Sequence, residues 1–215
     1  MNDRDKVNQA IAKAWRTAWT DRRFRIKTVI GSIFLFCVLV YLPVFFGSIE
    51  QRQGAILNDR LLYYLPAVDV SIPMFIIIWS MTLLILYRCA QDPSLFILFL
   101  FSFILLSFSR MITILIFPLE PPVSLIPLKD PLIGIFYGGT EVFIKKDLFY
   151  SGHTSVQFLI FLCVKKKNDK IISLLATIIV GILVLIQHIH FTIDVIAAAV
   201  IPYFIYRLGK WLAEY

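Results

Sequence analysis

Six long apolar runs constrain the fold of this 215-residue chain more than any other feature. A helix that crosses a bilayer needs about 20 mostly apolar residues. The sequence therefore predicts an all-α, polytopic membrane protein with six transmembrane helices. The runs fall near residues 28–48, 71–88, 94–117, 152–164, 171–189 and 191–207.

The composition supports a membrane protein, because 59% of the residues are hydrophobic and 16% are charged. Soluble domains carry about 45–50% apolar and roughly 25% charged residues. We predict a basic cytoplasmic segment over residues 1–27 and a six-helix membrane catalytic domain over residues 28–215. Apolar residues recur at helical spacing over 7–19, which indicates an amphipathic helix on the cytoplasmic leaflet. A frayed basic tail is the alternative for this segment.

The fourth, fifth and sixth runs place constraints on where helices begin and how they are connected. The fourth run is short and ends at lysines 165–167, so we expect its helix to begin before Ser151. The fifth and sixth runs nearly touch, which predicts a tight turn around His188 to His190.

The distribution of Lys and Arg predicts the orientation in the membrane. Fifteen of the 21 lie in the N-terminal segment, in the connections after the second and fourth runs, and in the C-terminal tail, whereas loops 49–70 and 118–150 hold five. By the positive-inside rule both termini face the cytoplasm, and these two loops face the exoplasm or a lumen. The net charge of +7 therefore indicates topology signals and anionic-lipid contact rather than nucleic-acid binding.

The three histidines all lie in the C-terminal third of the chain. Ionisable groups at membrane depth are costly, which favours a functional hypothesis for them. His190 and Asp194 are four residues apart, so on a helix they share a face and the carboxylate can orient the imidazole. Because the fourth and fifth runs are antiparallel neighbours joined by a short cytoplasmic loop, we expect His153 to meet His190 at the opposite membrane face, so the active site would face the exoplasm or a lumen. His188 would point away from His190, which predicts a structural role.

Two histidines suit a two-step phosphoryl exchange in which one forms a phosphohistidine and the other moves protons. Ser151 can cap the helix that follows it, and Gly152 permits close approach of a ligand to the backbone. The N-terminus of that helix attracts a phosphate. A packing role is the alternative for each histidine taken alone. The histidines lack the further ligands of a zinc site, so we predict no metal and no cofactor.

These residues resemble the motifs of the superfamily of type 2 phosphatidic acid phosphatases and lipid phosphotransferases, and more closely those of its sphingomyelin synthase branch. That branch carries Gly-Asp, three residues and Ser-Gly-His-Thr, where this chain has Lys146-Asp147 and then residues 151–154. It also carries His-Tyr-Thr or His-Tyr-Ser, one residue and Asp-Val, where this chain has residues 190–195 with Phe191 replacing tyrosine. The resemblance covers about residues 30–208.

The resemblance implies a role for each matching residue. His190 would be the nucleophile, oriented by Asp194, and His153 would be the acid and base. Asp147 would be a supporting carboxylate. Further candidates for supporting or substrate-binding roles are Ser151, Gly152, Arg110 in the third-helix motif, and Glu120 after the third run.

Two motifs of the phosphatases are absent, namely Lys, six residues, Arg-Pro, and a Ser-Arg pair upstream of the second histidine. Those cations hold a dianionic phosphomonoester, so their absence favours a diester donor. The resemblance then implies transfer of phosphocholine or phosphoethanolamine from a glycerophospholipid to ceramide or a related lipid alcohol, with release of diacylglycerol. A lipid phosphatase or phospholipase C-type hydrolase is the alternative, and a non-enzymatic transporter or scaffold is a third. Whether the chain forms a homo-oligomer is left open.

Overall fold

The structure is a computed structural model that describes residues 2–128 and 144–214. Within these ranges the regular secondary structure is helical, apart from an isolated parallel bridge between Ala55 and Leu119. The described helices are α1 (Asp3–Thr20), α2 (Arg22–Glu50), α3 (Arg60–Tyr64), α4 (Ser71–Gln91), α5 (Pro93–Ile116), α6 (Gly152–Cys163), α7 (Lys167–Ile186) and α8 (Thr192–Glu214).

Five of the described helices, α2, α4, α5, α7 and α8, are long and apolar enough to cross a bilayer. Their outer faces carry large apolar side chains such as Phe36, Val44 and Leu83, each about two-thirds exposed. This exposure is consistent with an integral multi-pass protein that lipid solvates. The apolar helix α6 has 12 residues and so extends about 18 Å. A sixth complete span therefore stays a prediction.

The prediction that the fourth run begins its helix before Ser151 is wrong. Helix α6 begins at Gly152, and Ser151 is its N-cap with non-helical backbone angles. The Ser151 hydroxyl oxygen accepts the backbone N–H of Thr154 at 3.4 Å. The carbonyl of Tyr150 accepts a hydrogen bond from Arg110 of α5 instead of from a helical N–H. A side-chain cap and a tertiary contact thus make the helix begin later in the sequence than its apolar composition suggests.

Helix α1 covers the segment that the sequence predicts to be helical. Ile11 and Trp15, four residues apart, are half-buried against the bundle. The indole N–H of Trp15 donates to the Ala90 carbonyl at 2.8 Å, and its ring packs against Phe24 and Phe96. The position of α1 on a membrane leaflet and the domain boundary at residue 27 stay predictions. Residues 22–27 already belong to α2.

The connections of the chain separate into two ends of the bundle. Segments 51–70, 117–128 and 144–151 and the turn 187–191 meet at one end, through backbone bonds such as Ala55 N–H to Pro118 O and Val68 N–H to Ile186 O. The short connections at Asp92 and at residues 164–166 lie at the other end, together with the end of α8. This separation agrees with the loop grouping that the charge pattern predicts, while the identity of the cytoplasmic side stays a prediction.

Candidate functional site

His190 lies in the turn between α7 and α8, and Asp194 lies in the first turn of α8. The prediction that they share one helical face is wrong, because residues 187–191 are not helical. The contact forms nevertheless, with Nδ1 of His190 3.4 Å from Oδ2 of Asp194. The same oxygen accepts the backbone N–H of Phe191 at 3.0 Å. When the carboxylate accepts from the ring, a neutral His190 carries its proton on Nδ1 and has an unprotonated Nε2.

The turn between α7 and α8 is set by the C-terminus of α7. His188 has a left-handed φ of 56°, and the N–H of Ile189 donates to the Val184 carbonyl at 3.2 Å, which is the bonding of a Schellman motif. Nδ1 of His188 lies 2.5 Å from the Ser124 hydroxyl oxygen, and its Nε2 lies 3.1 Å from the Leu65 carbonyl oxygen. His188 thus ties two loops to the turn, which supports the structural role that the sequence predicts.

The start of α6 places His153 beside this turn. The backbone N–H of Ser151 donates to the Asp194 carbonyl at 3.2 Å, which joins the start of α6 to the start of α8. His153 and His190 lie within electrostatic range of each other. Phe75 of α4 packs edge-on against the His153 imidazole, with ring centroids 6.3 Å apart. The structure therefore brings the three predicted catalytic residues together at one end of the bundle.

Arg110 reaches from α5 across the start of α6. Its Nε donates to the Tyr150 carbonyl at 3.1 Å, and its Nη2 pairs with Oδ1 of Asp147 at 2.5 Å. The guanidinium lies directly against Gly152, where a Cβ would come within 2.5 Å of Cζ. Arg110 and Asp147 both lie within electrostatic range of His153. A planar cation therefore sits where backbone N–H groups at the helix N-terminus already favour an anion.

The side chains of Ser151 and Glu120 are occupied by contacts within the protein, which does not support a direct role in substrate binding. Ser151 is buried and its hydroxyl is engaged with Thr154, so it acts by starting α6. Oε1 of Glu120 pairs with Lys146 at 2.9 Å and accepts the Gly54 N–H at 2.8 Å. The bond from Lys146 lowers the pKa of Glu120 from its ordinary value. In the described ranges Glu120 thus contacts the loop residues Lys146 and Gly54, and no contact with His153 or His190 is seen.

Several buried polar atoms at the start of α6 and α8 have no hydrogen-bond partner among the described residues. They are Nδ1 of His153, Oδ1 of Asp194 and both amide atoms of Gln157. Gln157 follows His153 by one helical turn and therefore lies on the same face of α6. Buried polar groups are normally bonded, so this set marks a place where polar substrate atoms or water would bind. Gln157 was not predicted from the sequence. The feature that could have indicated it is a polar amide side chain inside an apolar run.

Asp59 is a second residue that sequence reasoning missed. Its carboxylate accepts the backbone N–H of Thr192 at 2.6 Å and the Thr192 hydroxyl at 3.0 Å, and it also caps α3 through Leu61 and Leu62. Burial by itself would raise the pKa of Asp59, but these hydrogen bonds outweigh burial and lower the pKa. Asp59 thus fixes the start of α8 two residues before Asp194. The contact joins residues 133 positions apart, so no local pattern indicates it.

Comparison with known families is consistent with this site. Residues 146–211 match the family model described as PAP2 superfamily C-terminal. The match includes His153, His190 and Asp194, and it supports the PAP2 superfamily and a lipid enzyme of the phosphatase or phosphotransferase type. The assignment to the sphingomyelin synthase branch stays a prediction. No curated protein matches the chain.

Proposed function

We propose that this chain is a lipid phosphotransferase. It moves phosphocholine or phosphoethanolamine from a glycerophospholipid to ceramide or a related lipid alcohol, and it releases diacylglycerol. The observation that carries the proposal is the meeting of His153, His190 and Asp194 at the starts of α6 and α8, with Arg110 beside them.

In the first step, Nε2 of His190 attacks the phosphorus of the donor. A phosphorus–nitrogen bond forms and the phosphorus–oxygen bond to diacylglycerol breaks. Protonated His153 donates its proton to the departing alkoxide. Asp194 accepts the Nδ1–H of His190 and stabilises the positive charge that the ring acquires.

In the second step, neutral His153 removes the proton from the hydroxyl group of the acceptor lipid. The acceptor oxygen attacks phosphorus, the phosphorus–nitrogen bond breaks, and His190 is restored. His153 ends the cycle protonated, ready for the next donor. The same two residues would pass the headgroup to water if water occupied the acceptor position.

The charges around the site favour a diester donor over a phosphomonoester. Asp147 partly neutralises Arg110 through their 2.5 Å contact. Lys146, which follows in the same segment, is engaged with Glu120 and with the Arg52 carbonyl. The described residues thus offer little positive charge for a dianion, while a diester carries about one charge less than a monoester at neutral pH.

The proposal is tested with purified protein in vesicles that contain phosphatidylcholine or phosphatidylethanolamine labelled in the headgroup phosphate, with and without ceramide. We expect a labelled sphingolipid and diacylglycerol when ceramide is present. Labelled product that appears only as free phosphocholine or phosphoethanolamine would identify a hydrolase. Preferred turnover of phosphatidic acid would identify a phosphatase, and absence of turnover across a broad panel of donors would favour the non-enzymatic alternative.

A further inference from the structure

A cavity of about 890 Å³ lies at the end of the bundle opposite to the histidines. It is bounded by the junction of α1 and α2, the start of α5, and the ends of α6 and α8. Cys163 at the end of α6 lines it, and His153 lies about 15 Å away along the same helix. The volume falls in the range of small-molecule sites, roughly 300–1,000 Å³. The cavity is therefore separate from the proposed catalytic site.

The walls of this cavity are of two kinds. One part is apolar and includes Phe24, Ile97, Leu98 and Leu162. The other part is charged, and in the described part of the chain five basic side chains there face three acidic ones. The basic residues are Arg23, Lys27, Lys165, Lys170 and Lys210, and the acidic residues are Asp21, Asp92 and Glu214.

Two of these lysines have acidic partners. Nζ of Lys165 lies 2.7 Å from Oδ2 of Asp92, and Nζ of Lys210 lies 3.7 Å from Oε1 of Glu214. The bonds from Lys165 and Ser94 outweigh the effect of burial and lower the pKa of Asp92 to about 2. The carboxylate of Asp92 is therefore ionised at neutral pH and neutralises Lys165.

The charges of the two half-buried lysines are not neutralised in this way. Nζ of Lys27 donates to the Ala213 carbonyl at 2.9 Å, and Nζ of Lys170 donates to the Phe161 carbonyl at 3.2 Å. Nζ of Lys170 also lies 4.9 Å from the centroid of the Phe161 ring. Neither a carbonyl nor an aromatic ring carries a full negative charge. Burying a cation without an opposite charge is costly. Lys27, Lys170 and exposed Arg23 thus leave the cavity with an excess of positive charge even when Asp21 is counted, and an anion would offset this excess.

We propose that this cavity binds the headgroup phosphate of an anionic phospholipid from the leaflet at that end of the bundle. Lys27 and Lys170 bind the phosphate, and the apolar wall accommodates the glycerol backbone and the upper acyl chains. A lipid is the fitting source of the phosphate because the cavity lies at the ends of α5 and α8, which are long and apolar enough to span a bilayer. Basic residues at this depth attract anionic headgroups. The bound lipid joins the α1–α2 junction to the ends of α6 and α8.

The proposal is tested by native mass spectrometry of the full-length protein in detergent, titrated with dioleoyl phosphatidylglycerol or dioleoyl phosphatidylcholine. The variant is Lys27→Gln with Lys170→Gln. The matched control is Lys13→Gln with Arg16→Gln, which removes the same charge from exposed positions of α1 outside the cavity. Arg23→Gln is a further variant that changes an exposed side chain, so it leaves the packing of the bundle intact. Thermal unfolding of each variant establishes that it is folded.

In detergent no charged membrane surface acts on exposed residues such as Lys13 and Arg16, so only the cations that contact the phosphate should affect binding. We expect the double variant to bind phosphatidylglycerol about 25-fold more weakly, at about fivefold for each of the two lysines. Arg23→Gln should lose about fivefold, and the Lys13 and Arg16 control should bind as the wild type does. Phosphatidylcholine, whose choline offsets the charge of its phosphate, should bind the wild type more weakly than phosphatidylglycerol and should lose less affinity in the cavity variants. Unchanged phosphatidylglycerol binding in the folded cavity variants, or an equal loss in the control, would overturn the proposal. Displacement of the lipid by equimolar glycerol phosphate would overturn the lipid as the source of the phosphate.

Discussion

The guanidinium of Arg110 lies so close to Gly152 that a Cβ at position 152 would come within 2.5 Å of Cζ. Gly152→Ala should therefore displace Arg110 from the start of α6 and disturb its bonds to Tyr150 and Asp147. We expect a fall in kcat/KM of headgroup release of about 10²-fold, comparable to the loss of one donor that stabilises transition-state charge. The measurement is steady-state turnover in mixed micelles.

The matched control for this substitution is Gly47→Ala in α2. A Cβ at position 47 meets no atom within 4 Å, and alanine favours a helix over glycine by about 1 kcal/mol. This control should keep full activity and equal or greater thermal stability. Full activity in Gly152→Ala would show that the position of Arg110 is not needed for turnover.

Arg110→Lys should reduce activity although it keeps the positive charge. Lysine presents a single ammonium group and cannot contact the Tyr150 carbonyl and Asp147 with the planar geometry of a guanidinium. We expect kcat/KM to fall about tenfold or more, measured with the labelled donor. Arg60→Lys, at an exposed position, is the control and should behave as the wild type. Equal activity of the two variants would contradict a role for Arg110 in turnover.

Asp59 should act as a positioning residue for the turn that carries His190. Asp59→Ala removes the bonds to the N–H and hydroxyl of Thr192, so the pH profile of kcat should shift along with its magnitude. Thr192→Ser, which keeps the hydroxyl, should retain more activity than Thr192→Val. The control is Asp21→Ala, which removes a helix cap at the far end of the bundle. Loss of either cap should lower the free energy of unfolding by about 1 kcal/mol. Only the Asp59 variant should change the pH profile of kcat.

The ion pair of Arg88 with Asp169 should stabilise the fold without a direct effect on catalytic activity. It joins α4 to α7 by contacts of 2.7 Å from Nε to Oδ2 and 3.1 Å from Nη2 to Oδ1. Asp169→Asn leaves a largely buried guanidinium without its counter-charge, and such losses cost about 3–5 kcal/mol. The free energy of unfolding in detergent measures this. Glu214→Gln, in the exposed pair with Lys210, should change it by less than about 1 kcal/mol.

The sequence predicts the helices well where apolar composition decides the structure. The runs near 28–48, 71–88 and 94–117 each correspond to a long apolar helix, because lipid requires every backbone polar group to be bonded within a helix. The boundary at Ser151 was predicted wrongly because a side-chain cap and the Arg110 contact with Tyr150 determine it. Such bonds depend on the neighbouring helix α5, which local composition does not describe.

The sequence predicted that His153, His190 and Asp194 would lie together, and the structure places them at one end of the bundle, while their catalytic roles stay a prediction. His190 and Asp194 were expected on one helical face, and the structure joins them across the start of α8 through a side chain that turns back to the Phe191 N–H. Asp59 was missed because its partner Thr192 is far away in sequence. The spacing of residues indicates which groups meet, whereas the loops that hold them depend on tertiary contacts.

The most direct test of the central claim is to trap the covalent intermediate. The protein is incubated with a donor lipid labelled in the headgroup phosphate, without acceptor, and then denatured at high pH. Wild-type protein and His188→Ala should carry label that survives base and is lost in acid, as a phosphorus–nitrogen bond requires. His190→Ala should carry none, because it lacks the nucleophile. Protein-bound label or undiminished headgroup turnover in His190→Ala would contradict the assignment of His190 as the nucleophile.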